Sequence, residues 1–366
     1  MMQSPKNVAI FIDSLGGGGA ERVMLNLAKG LLLAGHTPHI FCLESRKDHQ
    51  SPEGIPVHVL YEDLKLKKIV NCFNITNAVK KLKDAVASIE KVTGSFSLCL
   101  ANLDPTNKVV ARCDFKNVYY VLHSSMENEI AREKRLGPIK YWRKLKAKRV
   151  MDGKDLIAVS KGVAEEAVSL GVINPKSVTT IYNPCDIDAI ERLSQEQNPE
   201  IANYPYLIHV GRVVKAKRHD LLFKALKMVP DIKLVLLCKD INKVRDLAKK
   251  HDVADRIITP GFTNNPYNWI ANAKLMVLSS DFEGLPTVLV ESLICDTPIA
   301  STDCEFGPRE ILTGEMAEFI SPVGDHIALA DNINKALESP PSTDCAPILE
   351  EVALNKAVAS YIALAN

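Results

Sequence analysis

The chain has 366 residues, of which 46% are hydrophobic and 24% are charged, and its formal net charge is +1. This composition is typical of a globular protein and excludes collagen-like, coiled-coil and wholly disordered chains. No apolar run approaches the roughly 20 residues that span a bilayer, and the first residues lack the pattern of a signal peptide. We therefore expect a soluble, cytoplasmic protein.

The charge is divided unevenly along the chain. Residues 1–190 carry seven more basic than acidic side chains, whereas residues 191–366 carry six more acidic than basic side chains. This asymmetry predicts an anionic partner for the first half, and the small total argues against general nucleic-acid binding. The nine cysteines are an odd number without a C-x-x-C pair, which is typical of reduced, mostly buried thiols.

Strands and helices alternate in the first half of the chain. The predicted strands are at 8–13, 39–43, 57–60, 97–101, 118–123 and 155–160. The predicted helices are at 20–33, at 69–92 and from about residue 161. Alternation of this kind predicts right-handed crossovers and a parallel sheet that is covered on both faces.

The same alternation begins again after a polar linker at residues 194–205. The predicted strands of the second half are at 206–212, 233–238, 256–262, 275–280 and 298–302. We therefore predict two similar α/β domains with a hinge near residues 185–205. In open parallel sheets, ligands bind beyond the carboxyl ends of strands. The strand ends of interest are Ile12, Leu122, Val210 and Leu278.

A Gly-rich turn, GGGGAER at residues 16–22, joins the first strand to the first helix. Glycines let the backbone approach a ligand closely, and a helix N-terminus attracts anions. The turn fits neither the G-x-G-x-x-G pattern of dinucleotide-binding proteins nor the P-loop. Taken alone, it is compatible with a phosphate or substrate loop and equally with a plain tight turn, and it disfavours a dinucleotide-dependent reductase.

Charged residues follow two strands of the second half. Arg212 and Lys217 lie in HVGRVVKAK, where a guanidinium fork and a point charge suit a pair of phosphates. Glu283 and Glu291 lie eight residues apart in EGLPTVLVES, the first before a predicted helix and the second about two turns along it. Carboxylates beside the free amides at 284–288 suit neutral hydroxyl groups, such as those of ribose and a sugar. Each motif also has a plainer interpretation. Arg212 and Lys217 are then part of a solvated helix start, and Glu283 is a helix cap with Glu291 solvated.

Together these motifs resemble the retaining glycosyltransferases of family 4. The matching segments, in the order of the family, are GGAER ending at Arg22, VLH ending at His123, SKGV at 160–163, IYNP at 181–184, HVGR through Lys217, EGLPTVLVES at 283–292 and GPREIL at 307–312. They span nearly the whole chain, and their combination is far more specific than any one of them.

The resemblance implies an α/β GT-B fold with two Rossmann-like parallel-sheet domains facing across a cleft. An acceptor-binding domain is expected at 1–190 and a domain that binds the nucleotide-sugar donor at 191–345. A C-terminal helix at 346–366 is expected to return to the first domain. No metal or other cofactor is implied. The D-x-D sequence at 186–188 resembles a metal motif of a different glycosyltransferase fold, and we expect no metal there.

The resemblance also implies roles for individual side chains. Arg212 and Lys217 would hold the donor diphosphate and stabilise the leaving group. Glu291 would bind the ribose hydroxyls, and Glu283 would bind a hydroxyl of the donor sugar. His123 would position the transferred sugar.

The other substrate-binding positions implied by the resemblance act through backbone groups or stacking. They are Gly18, Gly19, Phe262, Gly284, Leu285 and Pro286. At 238–240 the chain has CKD where the family commonly has a Gly-rich turn. Lys239 therefore has two interpretations, contact with a phosphate or base edge and plain solvation.

The implied activity is transfer of a hexose or N-acetylhexosamine, with retention, from a nucleotide-diphosphate sugar, by preference a UDP-sugar. The implied acceptor is a glycan, a lipopolysaccharide or a lipid-linked intermediate of bacterial polysaccharide assembly, and no nucleic acid is involved. The alternatives are a nucleotide-sugar epimerase or hydrolase on the same fold, and a catalytically inactive partner subunit.

A basic segment at 133–151, EKRLGPIKYWRKLKAKRVM, carries eight basic residues and one acidic residue. Its pattern predicts a basic amphipathic helix with an interfacial aromatic side chain, which is typical of docking on an anionic membrane surface. A solvated helix packed through Trp142 and Leu145 fits the pattern equally well. Peripheral attachment to the inner face of the membrane is thus one of two interpretations.

Overall fold

The structure, a computed structural model, describes residues 4–16, 18–201, 204–343 and 346–365. These residues form two compact units. The N-terminal unit runs to Asp186 and resumes at Val352, and the C-terminal unit spans Ile187–Glu351.

The N-terminal unit contains a parallel sheet of seven strands. The strands are β1 (Asn7–Ile12), β2 (Thr37–Glu44), β3 (Val57–Tyr61), β4 (Leu98–Asn102), β5 (Val118–Leu122), β6 (Asp155–Ala158) and β7 (Ser177–Thr180). Their order is β3-β2-β1-β4-β5-β6-β7. β1 lies inside the sheet, where Ile10 pairs with Ile40 on one side and with Leu100 on the other. Its apolar residues are buried because helices cover both faces of a parallel sheet.

The helices that follow these strands are α1 (Gly19–Leu33), α2 (Leu66–Ile69), α3 (Ile75–Thr93), α4 (Asp104–Val110), α5 (Met126–Arg135), α6 (Pro138–Lys148) and α7 (Lys161–Ser169). Two of them, α1 and α7, lie where the sequence predicts them, and α4 has no counterpart in the prediction. The helix predicted at 69–92 is instead α2 and α3, because the side chain of Asn71 accepts hydrogen bonds from the amides of Phe73 and Asn74 and makes a turn between them.

The single basic helix predicted within 133–151 is also wrong. The segment holds the end of α5, then α6 and a short 3-10 turn. The break falls at Gly137, whose φ is +114°, followed by Pro138 as the first residue of α6. Proline favours the first turn of a helix and disfavours helical backbone in the residue before it.

The C-terminal unit contains a parallel sheet of six strands. The strands are β8 (Tyr206–Val210), β9 (Lys233–Leu237), β10 (Ile257–Gly261), β11 (Leu275–Leu278), β12 (Ile299–Thr302) and β13 (Ile320–Ser321). Their order is β10-β9-β8-β11-β12-β13. The helices are α8 (Ile187–Ser194), α9 (His219–Leu226), α10 (Ile241–Lys250), α11 (Tyr267–Ala271), α12 (Thr287–Ile294), α13 (Pro308–Ile311), α14 (His326–Glu338) and α15 (Ile348–Val352). The core includes Leu207, Leu222, Phe223 and Leu329. The prediction of two Rossmann-like parallel-sheet domains is confirmed.

The last helix, α16 (Leu354–Ala363), belongs to the N-terminal unit and packs on α1. Gly30 makes the close approach possible, because a Cβ atom there would lie only 2.8 Å from the side chain of Val358. Asn117 Nδ2 donates to the carbonyl of Leu364 over 2.8 Å. Within the described ranges, no helix combines the length and apolar character that crossing a bilayer requires.

Candidate active site

The strand order of each sheet reverses at one place. This switch point falls between β1 and β4 in the N-terminal unit and between β8 and β11 in the C-terminal unit. The connections diverge there and leave a crevice beyond the carboxyl ends of the two strands, which is where α/β proteins bind ligands. The loops after these four strands contain most of the residues singled out in the sequence.

In the C-terminal unit, the loops after β8 and β11 bring Lys217 and Glu283 together. Lys217 lies in a short 3-10 turn (Lys215–Lys217), and its Nζ is 2.6 Å from Oε1 of Glu283. The hydroxyl of Ser280 donates to the same oxygen over 2.7 Å. Both charged side chains are largely buried. The structure thus places an oriented cation and carboxylate at this switch point.

Two further hydrogen bonds tie the same loops to each other. The amide of Asp281 donates to the carbonyl of Ala216 over 2.8 Å. The hydroxyl of Ser279 donates to the carbonyl of Lys217, also over 2.8 Å. The Lys217–Glu283 contact is therefore held by backbone groups as well as by its own charges.

A third tie comes from Arg218, which the sequence patterns do not single out. Its guanidinium contacts Asp281 over 2.8 Å and makes two hydrogen bonds of 3.0 Å with Asp220. These carboxylates hold Arg218 although its φ is +47°, a left-handed conformation that a side chain disfavours. Asp281 lies 63 residues further along the chain, so only the folded structure reveals the pairing.

Arg212 lies in the loop after β8, with an exposed side chain. Its guanidinium makes no ion pair with any residue in the described part of the chain. It differs in this respect from Lys217. Arg212 therefore presents an open positive charge in the same loop as Lys217.

The EGLP turn leads directly into α12. Gly284, Leu285 and Pro286 are buried, and Pro286 is the N-cap of the helix without a side-chain hydrogen bond. The first amides of a helix have no partner inside the helix and attract anions. Glu291 lies on the same helix, buried to 5% exposure.

Gly307 packs against this turn from the GPREIL segment. Its φ is +97°, and a Cβ atom there would lie 2.2 Å from Cδ of Pro286. Only glycine satisfies both constraints. GPREIL thus supports the turn that precedes α12.

Phe262 directly follows β10, and its ring is exposed. Nζ of Lys239, in the loop after β9, lies 4.8 Å from the centre of this ring. The distance is that of a cation–π contact. Lys239 is exposed to solvent, in keeping with one of the two sequence interpretations, and it also contacts the ring of Phe262.

Two buried histidines that the sequence analysis missed lie below the β8 loop. Nδ1 of His209 lies 2.9 Å from the carbonyl of Val277, and the rings of His209 and His219 are 4.9 Å apart. Burial lowers the pKa of both imidazoles, that of His219 to about 4. Both are therefore neutral at physiological pH and add no charge beside Lys217.

In the N-terminal unit, His123 directly follows β5 and lies beside the end of β4. Nε2 of His123 is 2.8 Å from Oδ1 of the fully buried Asn102. Burial lowers the pKa of His123 to about 4. The structure thus presents a neutral, partly exposed imidazole at the carboxyl edge of this sheet.

A cluster of four buried charges lies behind His123. Nζ of Lys144 and Nζ of Lys148 each contact Asp104 and Glu129 over 2.6–2.9 Å. Burial alone raises the pKa of Glu129, but the two lysines hold it well below its usual range. The cluster connects α4, α5 and α6.

This cluster gives two lysines of the basic segment at 133–151 a structural role. Lys144 and Lys148 belong to the interior of the unit, so neutralising them tests folding and not membrane binding. The opposite side of α6 and the turn before it remain exposed. Exposed fractions there are 56% for Leu136, 73% for Ile139 and 62% for Trp142.

Asp13 lies one residue beyond β1, at the switch point of the N-terminal unit. Its Oδ1 accepts hydrogen bonds from the amide and the hydroxyl of Thr106, over 3.0 and 2.6 Å. Burial raises the pKa of this carboxyl to about 7, and the nearby charges of Asp104 and Glu21 act in the same direction. Asp13 was not among the candidate residues, since a single Asp after a strand is no motif.

The Gly-rich turn follows Asp13. Gly18 is the N-cap of α1, and Gly19 is its first residue, beside which a Cβ atom would meet nothing within 4 Å. Gly17 lies outside the described residues. In the D-x-D sequence, Asp186 pairs with Lys29 of α1 over 2.5 Å, so this carboxylate joins two parts of the N-terminal unit.

Comparison with known proteins identifies the class. Residues 17–189 match Glycosyltransferase Family 4, and residues 191–347 match Glycosyl transferases group 1. The fold is similar to that of HepE from Anabaena, solved with UDP and glucose, with a TM-score of 0.72 and 18% identity over 99% of this chain and 96% of that one. The two matches and the paired sheets show that the chain belongs to the GT-B glycosyltransferases of family 4, and the prediction from its motifs is confirmed.

Curated relatives agree with this assignment. The chain is 27% identical, over 359 residues, to the N-acetylgalactosamine-N,N'-diacetylbacillosaminyl-diphospho-undecaprenol 4-alpha-N-acetylgalactosaminyltransferase of Campylobacter jejuni, with 91% of this chain and 90% of the relative aligned. It is 26% identical to the lipopolysaccharide 1,6-galactosyltransferase of Escherichia coli, over 49% of this chain and 51% of that enzyme.

Proposed function

We propose that the protein is a retaining glycosyltransferase that moves a hexose or N-acetylhexosamine from a UDP-sugar to a lipid-linked or lipopolysaccharide acceptor. The observation that carries this proposal is the Lys217–Glu283 pair at the switch point of the C-terminal unit. UDP in a structure of similar fold supports the choice of nucleotide. The names of the two curated relatives support the acceptor class.

In this proposal the C-terminal unit binds the donor. Lys217, Arg212 and the first amides of α12 bind the diphosphate, and Phe262 lies beside the base. Glu283 accepts a hydrogen bond from a sugar hydroxyl, and the buried Glu291 accepts from the ribose. Gly284, Leu285 and Pro286 supply the backbone of the turn. In this proposal the two cations and the amides balance the charge of the diphosphate, and no metal takes part.

The N-terminal unit, in the same proposal, binds the acceptor and orients the transferred sugar. Gly19 lets the acceptor approach the backbone closely, since a Cβ atom there would meet nothing within 4 Å. Gly18 contributes its backbone at the start of α1, because the space beside its Cα is already taken by the side chain of Glu21. His123 contacts a hydroxyl of the sugar. We assign these roles to residues 1–190 and the donor site to residues 191–345.

The proposed step breaks the bond between the anomeric carbon and the β-phosphate oxygen, and the electron pair leaves on UDP. A hydroxyl oxygen of the acceptor forms the new bond on the same face of that carbon. Its proton passes to the departing phosphate oxygen. In this proposal Lys217, Arg212 and the α12 amides accelerate the step because fixed cations and amides stabilise the negative charge that develops on the departing phosphate.

Donor binding is tested by thermal denaturation with UDP, GDP, CMP and common UDP-sugars, each with and without EDTA. A ligand at 100 times its Kd stabilises the folded protein by about 2.7 kcal/mol. We expect UDP and one UDP-sugar to raise Tm, with no effect of EDTA. If no nucleotide raises Tm, the donor assignment fails and the inactive-subunit alternative gains support.

The site residues are tested by single substitutions in a transfer assay with the sugar so identified. We expect Glu283→Ala, Arg212→Ala and Lys217→Ala each to lower the rate at least tenfold and, for loss of a charge-stabilising group, by about 10²–10³-fold. Lys215→Ala is the matched control, because Lys215 is an exposed cation of the same turn. Normal turnover in all three variants contradicts the assignment. Sugar release or isomerisation without acceptor supports the epimerase or hydrolase alternative instead.

We also propose that the enzyme docks peripherally on the cytoplasmic face of an anionic membrane. The docking surface consists of the exposed apolar side chains of Leu136, Ile139 and Trp142 and the cations around them. These cations are Arg135, Lys140, Arg143 and Lys146. Apolar side chains that enter the interface, surrounded by lysine and arginine, give a favourable contact with anionic lipids. A lipid-linked acceptor is presented at that surface.

Co-sedimentation with vesicles tests this docking. We expect binding to phosphatidylglycerol vesicles and weak binding to phosphatidylcholine vesicles. Ile139→Ser with Trp142→Ser, or Lys140→Gln with Arg143→Gln and Lys146→Gln, should each abolish it. A control variant with three exposed lysines of the C-terminal unit neutralised (Lys224, Lys249 and Lys250) should bind normally. Equal binding of all variants contradicts the proposal.

A further inference from the structure

We infer that Asn102 is a positioning residue that holds His123 in the tautomer with its proton on Nε2. In this tautomer Nδ1 is a hydrogen-bond acceptor, and it faces a hydroxyl of the transferred sugar. The tautomer follows from contacts within the N-terminal unit alone. The contact with the sugar rests on the proposed function.

Hydrogen bonds fix the orientation of the Asn102 side chain. Its Nδ2 donates to the backbone carbonyls of Phe11 and Leu100, over 3.0 and 3.2 Å. Carbonyl oxygens only accept hydrogen bonds, so the opposite orientation would place Oδ1 against two acceptors in a fully buried site. Strands β1 and β4 therefore fix this amide, and Oδ1 is the atom that faces His123.

The tautomer of His123 follows directly. Oδ1 of Asn102 is an acceptor, so Nε2 of His123, 2.8 Å away, must be the donor. A neutral imidazole carries one N–H, which leaves a lone pair on Nδ1. Burial keeps the ring neutral at physiological pH, since it lowers the pKa to about 4. Among the described residues of this unit, none makes a hydrogen bond to Nδ1.

The charge cluster supports the same state of the ring. Ser124, next to His123, donates its hydroxyl to Glu129, and Glu129 is neutralised by Lys144 and Lys148. Glu129 is thus engaged with these cations and is not a free carboxylate that would stabilise a protonated imidazole. A neutral Nδ1 accepts from O–H or N–H groups of the substrate, and it disfavours a sugar that lacks such a hydrogen at that position.

The tautomer is measured without reference to activity. Multiple-bond ¹H–¹⁵N correlation spectra of the full chain, labelled at histidine, distinguish the Nε2–H from the Nδ1–H form. His123→Gln identifies the His123 signals by their disappearance. We expect a pure Nε2–H pattern at pH 7. A dominant Nδ1–H pattern, or a doubly protonated ring, overturns the inference.

Substitution tests whether Asn102 is the cause. In Asn102→Ala we expect both tautomers of His123 and, by loss of one hydrogen-bond constraint, about a tenfold fall in kcat/KM. Asn107→Ala is the matched control, since Asn107 is also buried and its amide faces the carbonyls of Leu103 and Ala101. The control should leave the His123 pattern unchanged. An unchanged pattern in Asn102→Ala overturns the role of Asn102.

The acceptor role of Nδ1 is tested by two amides of different length. In His123→Asn the side-chain oxygen can occupy the place of Nδ1, whereas in His123→Gln it reaches toward Nε2. We expect His123→Asn to retain at least about ten times the kcat/KM of His123→Gln. Equal losses overturn the acceptor role. A chain with the Nε2–H pattern but no transfer activity toward any donor contradicts the proposed function and leaves the tautomer intact.

Discussion

Asp13 shows how one buried residue makes stability depend on pH. The pKa of its carboxyl is raised by burial to about 7, so between pH 4 and 7 the folded chain holds a proton that the unfolded chain has released. Stability is therefore lost as pH rises through this range. The slope from this group is up to about 1.4 kcal/mol per pH unit.

We predict that Asp13→Asn removes this slope. Asparagine keeps an oxygen that accepts from Thr106 but has no proton to lose, so its advantage over wild type should grow from pH 5.5 to 7.5. Urea denaturation followed by Trp142 fluorescence, in a Trp269→Phe background, reports on the N-terminal unit. Buried histidines give the unfolding free energy a pH slope of opposite sign. This slope is the same in variant and wild type, so it cancels in the difference between them.

Asp63→Asn, at an exposed position of the same unit, is the control and should not change the slope. A constant difference between Asp13→Asn and wild type from pH 5.5 to 7.5 contradicts the prediction. It would mean that Asp13 is ionised in the folded chain across the whole range.

Single residues also show what sequence can reveal about the site. His123 and Glu283 could be named because they belong to motifs with fixed local patterns. The roles of Lys144 and Lys148 could not, because their carboxylate partners lie on α4 and α5. A run of cations is the same pattern whether it faces solvent or a buried pair of carboxylates.

At the scale of elements, strands were easier to predict than the connections between them. The apolar runs of β1 and β8 are buried on both faces of a sheet and appear as continuous apolar segments. The break between α2 and α3 depends on one side chain, Asn71, that caps the following backbone. β13 has two residues, too few for any pattern, and it exists because β12 offers it an edge.

The loops after β8 and β11 are joined by the ion pair between Arg218 and Asp281. We predict that the left-handed backbone of Arg218, which this arrangement requires, is strained. Arg218→Ala loses the contacts to Asp220 and Asp281 and keeps the left-handed φ. Arg218→Gly loses the same contacts and relieves the strain, so it should be more stable than Arg218→Ala by about 1 kcal/mol. Both variants should weaken UDP binding equally.

Chemical denaturation measures the stability difference, and titration with UDP measures the binding. Lys215→Ala is the control for removal of a cation from this turn. If the two Arg218 variants are equally stable, the backbone there is unstrained. If UDP binding is unchanged in both, the ion pairs do not order the loop that carries Glu283.

At the scale of the whole molecule, the N-terminal unit includes a segment that begins at Val352, beyond the end of the C-terminal unit. α16 buries four side chains in the N-terminal unit, and these are Ala357, Val358, Tyr361 and Ile362. The amide of Cys185 donates to the carbonyl of Val352 over 2.8 Å, where the chain re-enters this unit. Folding of residues 1–186 therefore depends on a segment that is synthesised only after the whole C-terminal unit.

We predict that deletion of residues 353–366 destabilises the N-terminal unit, most of which is distant in sequence. The C-terminal unit, which directly precedes the deleted residues in sequence, should keep its stability. A fully buried large apolar side chain contributes about 1.5–3 kcal/mol, so the loss should amount to several kcal/mol. Hydrogen exchange read by mass spectrometry locates the loss of stability: exchange should accelerate in α1 and near Asn117 and should remain slow in β8 and β11.

Gly30→Val tests the same contact in the full chain, because a side chain at Gly30 collides with Leu354 and Val358. Leu33→Ala, at an exposed position of α1, is its control. Faster exchange confined to α14 and α15 would show instead that the segment stabilises the unit that precedes it in sequence.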